Sequence, residues 1–275
     1  MAGTFKGLSQ QQIDKRLREG RGQGHGPGYK PFIYTRDVSS LGRSHRLLGS
    51  KSSRLHHLLS DLELAVFLML DWSPKVLDIR EQFPMRSEDT VRIARDLGIP
   101  HSSFKGTPQV LSSDFLVDFD NPEMPVMAFQ AKYSTDLRKS ETIERLMLEK
   151  RYWEEKGIPW KLVSEKELSR PVQDNIQWLY PASAEKDVSL DELHHYQSLF
   201  VKEFEQNPNM LLTTISQRLD MAYNLQAGHT LYWLRQLLAR RVFMFDINLS
   251  YRKLTSADIR LNRHNDGGEV NIASG

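Results

Sequence analysis

Lys132 stands in the stretch FQAKYS (129–134), two residues after Gln130, in a segment that otherwise reads as a buried strand. Residues two apart on a strand lie about 6.6 Å apart on one face, so an amide and an ammonium group would be neighbours there. In LSSDFLVDF (111–119), Asp114, Leu116 and Asp118 share one parity while Phe115, Val117 and Phe119 share the other. If Asp114 faces the side of Gln130 and Lys132, an acid, an amide carbonyl and an ammonium converge. That set suits phosphodiester hydrolysis. Mg²⁺ takes oxygen ligands at about 2.0–2.1 Å and keeps several waters. Asp114 would be the anionic ligand, Gln130 would add its side-chain oxygen and Ala131 its backbone carbonyl. Lys132 would orient or help deprotonate the attacking water and stabilise the charge growing on the phosphoryl oxygens. One carboxylate holds hydrated Mg²⁺ weakly, and Glu63 is the candidate second acid, on a helix able to lie against the sheet.

Each of these residues also has a plainer reading. Ser60-x-x-Glu63 fits a capping box, in which Glu63 bonds the N-cap amide. Lys132 could lie on an exposed sheet face, and Asp118 has the parity to compete with Asp114, although it lies nearer the turn. His57 and Asp61 are four apart and could share a metal, but a solvated helix face accounts for them more simply.

The elements that must position the set follow from periodicity. Residues 8–19 form a short polar helix, leading into GRGQGHGPG (20–28), a turned loop whose Arg21 and His25 can touch phosphate. No strand precedes it, so a nucleotide fingerprint is not the expected reading. HHLLSDLELAVFLMLDW (56–72) is the clearest helix, closed by Pro74. KVLDIREQFP (75–84) reads as a strand, and SEDTVRIARDLG (87–98) as an amphipathic helix with Ser87 as N-cap and Gly98 as stop. Strands at 111–119 and 126–134 flank the turn DNPEMP, and a helix at 140–157 precedes a strand at 159–165. This order predicts an α/β domain, a mixed sheet flanked by helices, over residues 1–168. Residues 169–275 carry four helical patterns and an alternating strand, VFMFDIN (242–248), compatible with a winged-helix-like module. The final residues, NRHNDGGEVNIASG, read as frayed.

The chain has 275 residues, 39% hydrophobic and 26% charged, a globular composition. With no cysteine, disulfides, thiolate metal sites and cysteine nucleophiles are excluded, and a cytoplasmic setting is expected. The longest apolar run, Leu62 to Leu70, is interrupted by Glu63 and falls far short of the ~20 residues a membrane span needs. No signal peptide is expected at the N-terminus. The net charge of +2 conceals an asymmetry: residues 1–56 hold eleven Lys or Arg against three acids. A basic end of this kind points to a polyanion such as nucleic acid.

The motifs REGRGQGHGPGYKPF, GRSHR, HHLLSDLELAVFL, VLDIREQFP, SDFLVDF and EKRYWEEKGIPW, spread over residues 18–182, together resemble the TnsA family of endonuclease subunits of heteromeric Tn-seven-type transposases. The resemblance implies a restriction-endonuclease-like catalytic domain in which Glu63, Asp114, Gln130 and Lys132 match the family's site. The neutral Gln130 departs from the acid common in restriction enzymes, a missing charge that Glu63 offsets. The implied activity is Mg²⁺-dependent cleavage at the 5′ ends of a transposon, with Mn²⁺ able to substitute and two ions expected. A DDE transposase, TnsB, would act on the 3′ ends, and residues 169–275 would engage the AAA+ regulator TnsC and DNA. Residues 1–56, through Arg21, His25, Arg43, His45 and Arg46, would lie along the DNA backbone. Two rival readings are a non-catalytic scaffold docking DNA and regulators, and a stand-alone restriction or repair nuclease.

Overall fold

The computed structural model describes residues 7–38, 43–183 and 185–262, so the expected fraying from residue 263 onward lies outside the described residues. The chain divides into two compact units, Met1–Leu168 and Ser169–Gly275.

In the first unit, helix α1 (Gln10–Arg18) starts at a capping box in which Ser9 and Gln12 each bond the other's backbone amide. Its Ile13 packs with Leu8 and Phe32 in a small cluster. Between them the glycine run folds back on itself. Gly22 donates its N–H to the Lys30 carbonyl at 2.6 Å, and Gly26 donates to the Asp78 carboxylate at 2.7 Å. Gly22 has a left-handed φ of +80°, and a Cβ there would lie 2.2 Å from Pro84 Cγ, so only glycine fits.

Strands β1 (His45–Leu48) and β2 (Leu55–Leu58) form an antiparallel hairpin. The helix expected from His56 therefore begins later, as α2 (Asp61–Trp72). The reason is tertiary: His56 Nδ1 lies 2.8 Å from the Glu81 carboxylate, the His57 N–H donates to it at 3.1 Å, and Ser60 supplies the N-cap.

The main sheet runs β3-β6-β7-β8, formed by β3 (Val76–Pro84), β6 (Ser112–Phe119), β7 (Val126–Ala131) and β8 (Trp160–Val163). The first two pairings are antiparallel and the last is parallel. A parallel pair needs a long crossover, supplied here by α4 (Ser140–Glu155). The sheet is mixed, as expected. Helix α3 (Ser87–Leu97) ends at left-handed Gly98, but Arg86 is its N-cap residue and Ser87 is already inside the helix. A small hairpin, β4 (Ser103–Phe104) with β5 (Thr107–Pro108), was not foreseen.

Leu116 and Ala128 face a core of Ile93 from α3 and Leu148, Tyr152 and Trp153 from α4. Each such buried large apolar side chain is worth roughly 1.5–3 kcal/mol. The alternate residues Ile79, Phe115 and Val117, fully buried, face the other way, where α2 and the β1–β2 hairpin pack.

The second unit packs α5 (Arg170–Ser183), α6 (Leu190–Gln206) and α7 (Leu212–Ala222) around α8 (His229–Ala239). The Asp220 carboxylate accepts N–H bonds from Gly228 and Thr230 at 2.7 and 2.9 Å, satisfying the free donors at the start of α8. The strand expected at 242–248 shrinks to β9 (Phe243–Met244), paired with β10 (Arg260–Leu261). Among the described residues no helix is long and apolar enough to cross a membrane.

Candidate active site

Strands β6 and β7 pair regularly from Asp118–Val126 up to Phe115–Phe129, and beyond that point side chains replace the backbone ladder. The Ala131 N–H donates to Asp114 Oδ2 at 2.8 Å, and the Asp114 N–H donates to Gln130 Oε1 at 3.1 Å. Asp114 and Gln130 are thus fixed side by side, both buried, at the mouth of a strand split. Lys132 follows directly, one residue past the end of β7, its own N–H held by the Val163 carbonyl of β8 at 3.0 Å. Its side chain is half-buried and, with Gln130 and Glu149, lines a cavity of about 420 Å³.

Glu63 reaches this site from the first turn of α2. Ser60 Oγ accepts the Glu63 N–H at 3.1 Å, as a cap should, but the Glu63 carboxylate does not close the box on the N-cap amide. Its Oε2 accepts N–H bonds from Leu59 at 2.9 Å and from the Gln82 amide at 3.1 Å, and its Oε1 accepts the Ser60 hydroxyl at 3.1 Å. Burial, and then the charge of Asp114, raise its pKa to about 8, with the Lys132 ammonium opposing them. Two carboxyl groups near enough for the charge of one to raise the pKa of the other form a donor set that a divalent cation relieves, so the residues present fit an oxygen-ligated metal.

Two further residues belong to this environment and escaped the sequence reading. Glu149 of α4 accepts hydrogen bonds from Ser113 Oγ at 2.6 Å and Trp160 Nε1 at 3.0 Å, and burial raises its pKa to about 7. A signal existed: Glu149 lies on the stripe of Leu146, Tyr152 and Trp153, where a charge is out of place. Gln82 gave none, because strand parity assigns it to the side of Arg80.

Asp118, the rival ligand, is paired with Arg80 at 2.6 Å. His25 sits over it and Asp78, with Nδ1 3.5 and 3.9 Å from their carboxylates. Arg21 is one of the expected phosphate contacts. It turns inward to Asp37 at 2.6 Å and to the Phe32 carbonyl, leaving 11% of its side chain exposed. His45 Nε2 lies 2.7 Å from Asp61, and His57 Nδ1 lies 3.1 Å from the Thr35 hydroxyl. Arg43 and Arg46 are exposed.

The family model described as TnsA-like endonuclease N terminal matches residues 73–165, spanning Asp114, Gln130 and Lys132 but beginning after Glu63. The model described as TnsA endonuclease C terminal matches residues 167–247. The Transposon Tn7 transposition protein TnsA of Escherichia coli is 43% identical over 259 residues, covering 94% of each chain. With both halves matched and a full-length relative at that identity, the chain belongs to the TnsA endonuclease family.

Proposed function

We propose that this chain is the metal-dependent endonuclease subunit of a heteromeric transposase, cutting the 5′ ends (the non-transferred strands) of its transposon. The observation that carries the reading is the strand split that sets Asp114 against Gln130 while Asp114 raises the pKa of Glu63. Glu63, Asp114, Gln130 and the Ala131 carbonyl would hold Mg²⁺, two ions being expected and Mn²⁺ able to substitute. When bound, the cation supplies Lewis acidity to the attacking water and neutralises charge on the phosphoryl oxygens. Lys132 directs its ammonium at the scissile phosphate and orients the water, favoured by the half-buried wall beside Gln130. The Asp114 N–H fixes the Gln130 amide and the Ala131 N–H fixes the Asp114 carboxylate, so their positions do not have to be found at the moment of reaction.

Residues 1–168 would then be a restriction-endonuclease-like catalytic domain, and residues 169–275 a winged-helix-like domain engaging DNA and a TnsC-type AAA+ ATPase. The α7–turn–α8 corner followed by the β9–β10 pair supports the latter. A TnsB-type DDE transposase would cut and join the 3′ ends, and the setting would be the bacterial cytoplasm at the nucleoid. The test uses the purified chain with its transposase on transposon-end DNA. Asp114→Asn and Lys132→Ala are expected to lose 5′-strand cutting by at least about 10²-fold while complex assembly and 3′-strand joining persist. Undiminished cutting by either variant removes the site assignment.

A further inference from the structure

Consecutive side chains along β3 should alternate between the two faces of the sheet. Arg80 and Phe83 lie together, the guanidinium 5.4 Å from the ring centre, and Phe83 packs on Trp153 of α4 at 6.0 Å. Glu81 turns the other way, to Arg54 and His56. Strict alternation would return Gln82 to the side of Arg80, yet its amide reaches Glu63 of α2, on the side of Glu81. Two successive side chains therefore share one face. The break is in the backbone: Gln82 has φ +47°, a left-handed conformation that only a few per cent of non-glycine residues adopt.

The ladder to β6 records the same break. Glu81 pairs with Phe115 and Phe83 with Ser113, while the pair between them, Gln82 with Asp114, is skipped. The Gln82 carbonyl accepts the Phe32 N–H instead, at 3.3 Å. Irregularities of this kind are used beside active sites to re-aim a side chain, and strained backbone persists where its surroundings over-determine it. Here the surroundings do so: Gln82 is 2% exposed, and the Ser112 hydroxyl donates to its Oε1 at 3.3 Å, which turns the NH₂ group toward Glu63.

An ionised carboxylate offers about four acceptor sites. At Glu63 both sites on Oε2 are filled, by Leu59 and Gln82, and Ser60 fills one on Oε1. What remains is a single direction on Oε1. We propose that Gln82 is a positioning residue for the site: its left-handed kink aims an amide that occupies Glu63 Oε2, so that Oε1 is the oxygen presented to a divalent cation. The inference rests on the metal-dependent reading above.

The experiment is Mn²⁺ titration of the full-length chain by calorimetry, with thermal melting and strand cleavage measured in parallel. Gln82→Gly accepts φ +47° without strain and removes the amide together with its two methylenes, so relief of backbone strain offsets part of the lost packing and the chain should still melt cooperatively. Its Mn²⁺ dissociation constant should rise about 10–100-fold, with cleavage recovered at raised Mn²⁺. Ser112→Ala, which frees the amide to rotate, should shift affinity in the same direction by less. Unchanged Mn²⁺ affinity in Gln82→Gly overturns the proposal, as does a lowered melting temperature in both variants with affinity intact. Should Gln82→Gly not fold, Ser112→Ala alone decides by whether its affinity falls. Undiminished Mn²⁺ binding by Asp114→Ala is a separate result that removes the metal reading itself.

Discussion

Glu149 shows how a single side chain couples this site to pH. Its carboxyl is buried, desolvation is the largest influence on it, and its pKa rises to about 7 despite the hydrogen bonds from Ser113 and Trp160. A carboxyl whose folded pKa lies above its unfolded value holds a proton in the folded state that the unfolded chain releases. The stability from that proton is fully present below about 4.5 and is lost as pH rises through about 7. Glu149→Gln keeps an acceptor for Ser113 and Trp160 and has nothing to titrate. The variant should therefore gain on the parent by on the order of 2–3 kcal/mol between pH 5 and pH 8. Urea denaturation at the two pH values measures it, and an equal offset at both would mean that Glu149 is ionised throughout. Metal-ligand chemistry does not enter the comparison, since Glu63 is the same in both chains.

At the scale of elements, the glycine loop is closed on itself by the Gly22 bond to Lys30 and held on the sheet by the Gly26 bond to Asp78, and Gly22 abuts Pro84 at the end of β3. Gly22→Ala places a methyl group 2.2 Å from Pro84 Cγ on a backbone with φ +80°. It should destabilise by more than about 1 kcal/mol. Limited proteolysis should then cut within residues 20–30, where the parent resists; equal resistance would show the loop to be held elsewhere. Gly20→Ala, with nothing within 4 Å of its Cβ but a φ of +75°, is the control for strain alone. These elements differ in how far the sequence revealed them. Helix α4 and strands β6 and β7 were legible because their apolar periodicity is strong and local. The start of α2 was not, because His56 and Leu58 to Leu59 carry a helical spacing that contact with Glu81 overrides. The kink at Gln82 was hidden for a deeper reason, since a left-handed glutamine has no local signature and is imposed by Phe32, Glu63 and Ser112 from three other segments. The four candidate residues are legible from parity and resemblance, but parity misdescribes how Asp114 and Gln130 meet. Side chains, not ladder bonds, join Asp114 to β7.

For the molecule as a whole, the basic excess of residues 1–56 overstates the field offered to a polyanion. Arg16 and Arg21 are paired with Asp37, and Arg54 is buried against Glu81. Lys15, Arg18, Lys30, Arg36, Arg43 and Arg46 remain exposed among the described residues of this segment, and of these Arg43 and Arg46 are the ones expected at phosphate. Arg43→Ala with Arg46→Ala should reduce the slope of log K against log salt by about 2 if each meets one phosphate, with melting unchanged. Arg21→Ala should instead lower the melting temperature and leave the slope alone. Filter binding across a salt series distinguishes the two patterns, and a slope untouched by the double variant would place the DNA on another surface. The stitching of β6 to β7 by Asp114 carries one more consequence. Alanine at that position would strip a charge and also orphan the Ala131 amide, loosening the sheet together with the chemistry. Asparagine retains an oxygen for that amide, which makes Asp114→Asn the form to choose for trapping an assembled transposition complex on uncut DNA.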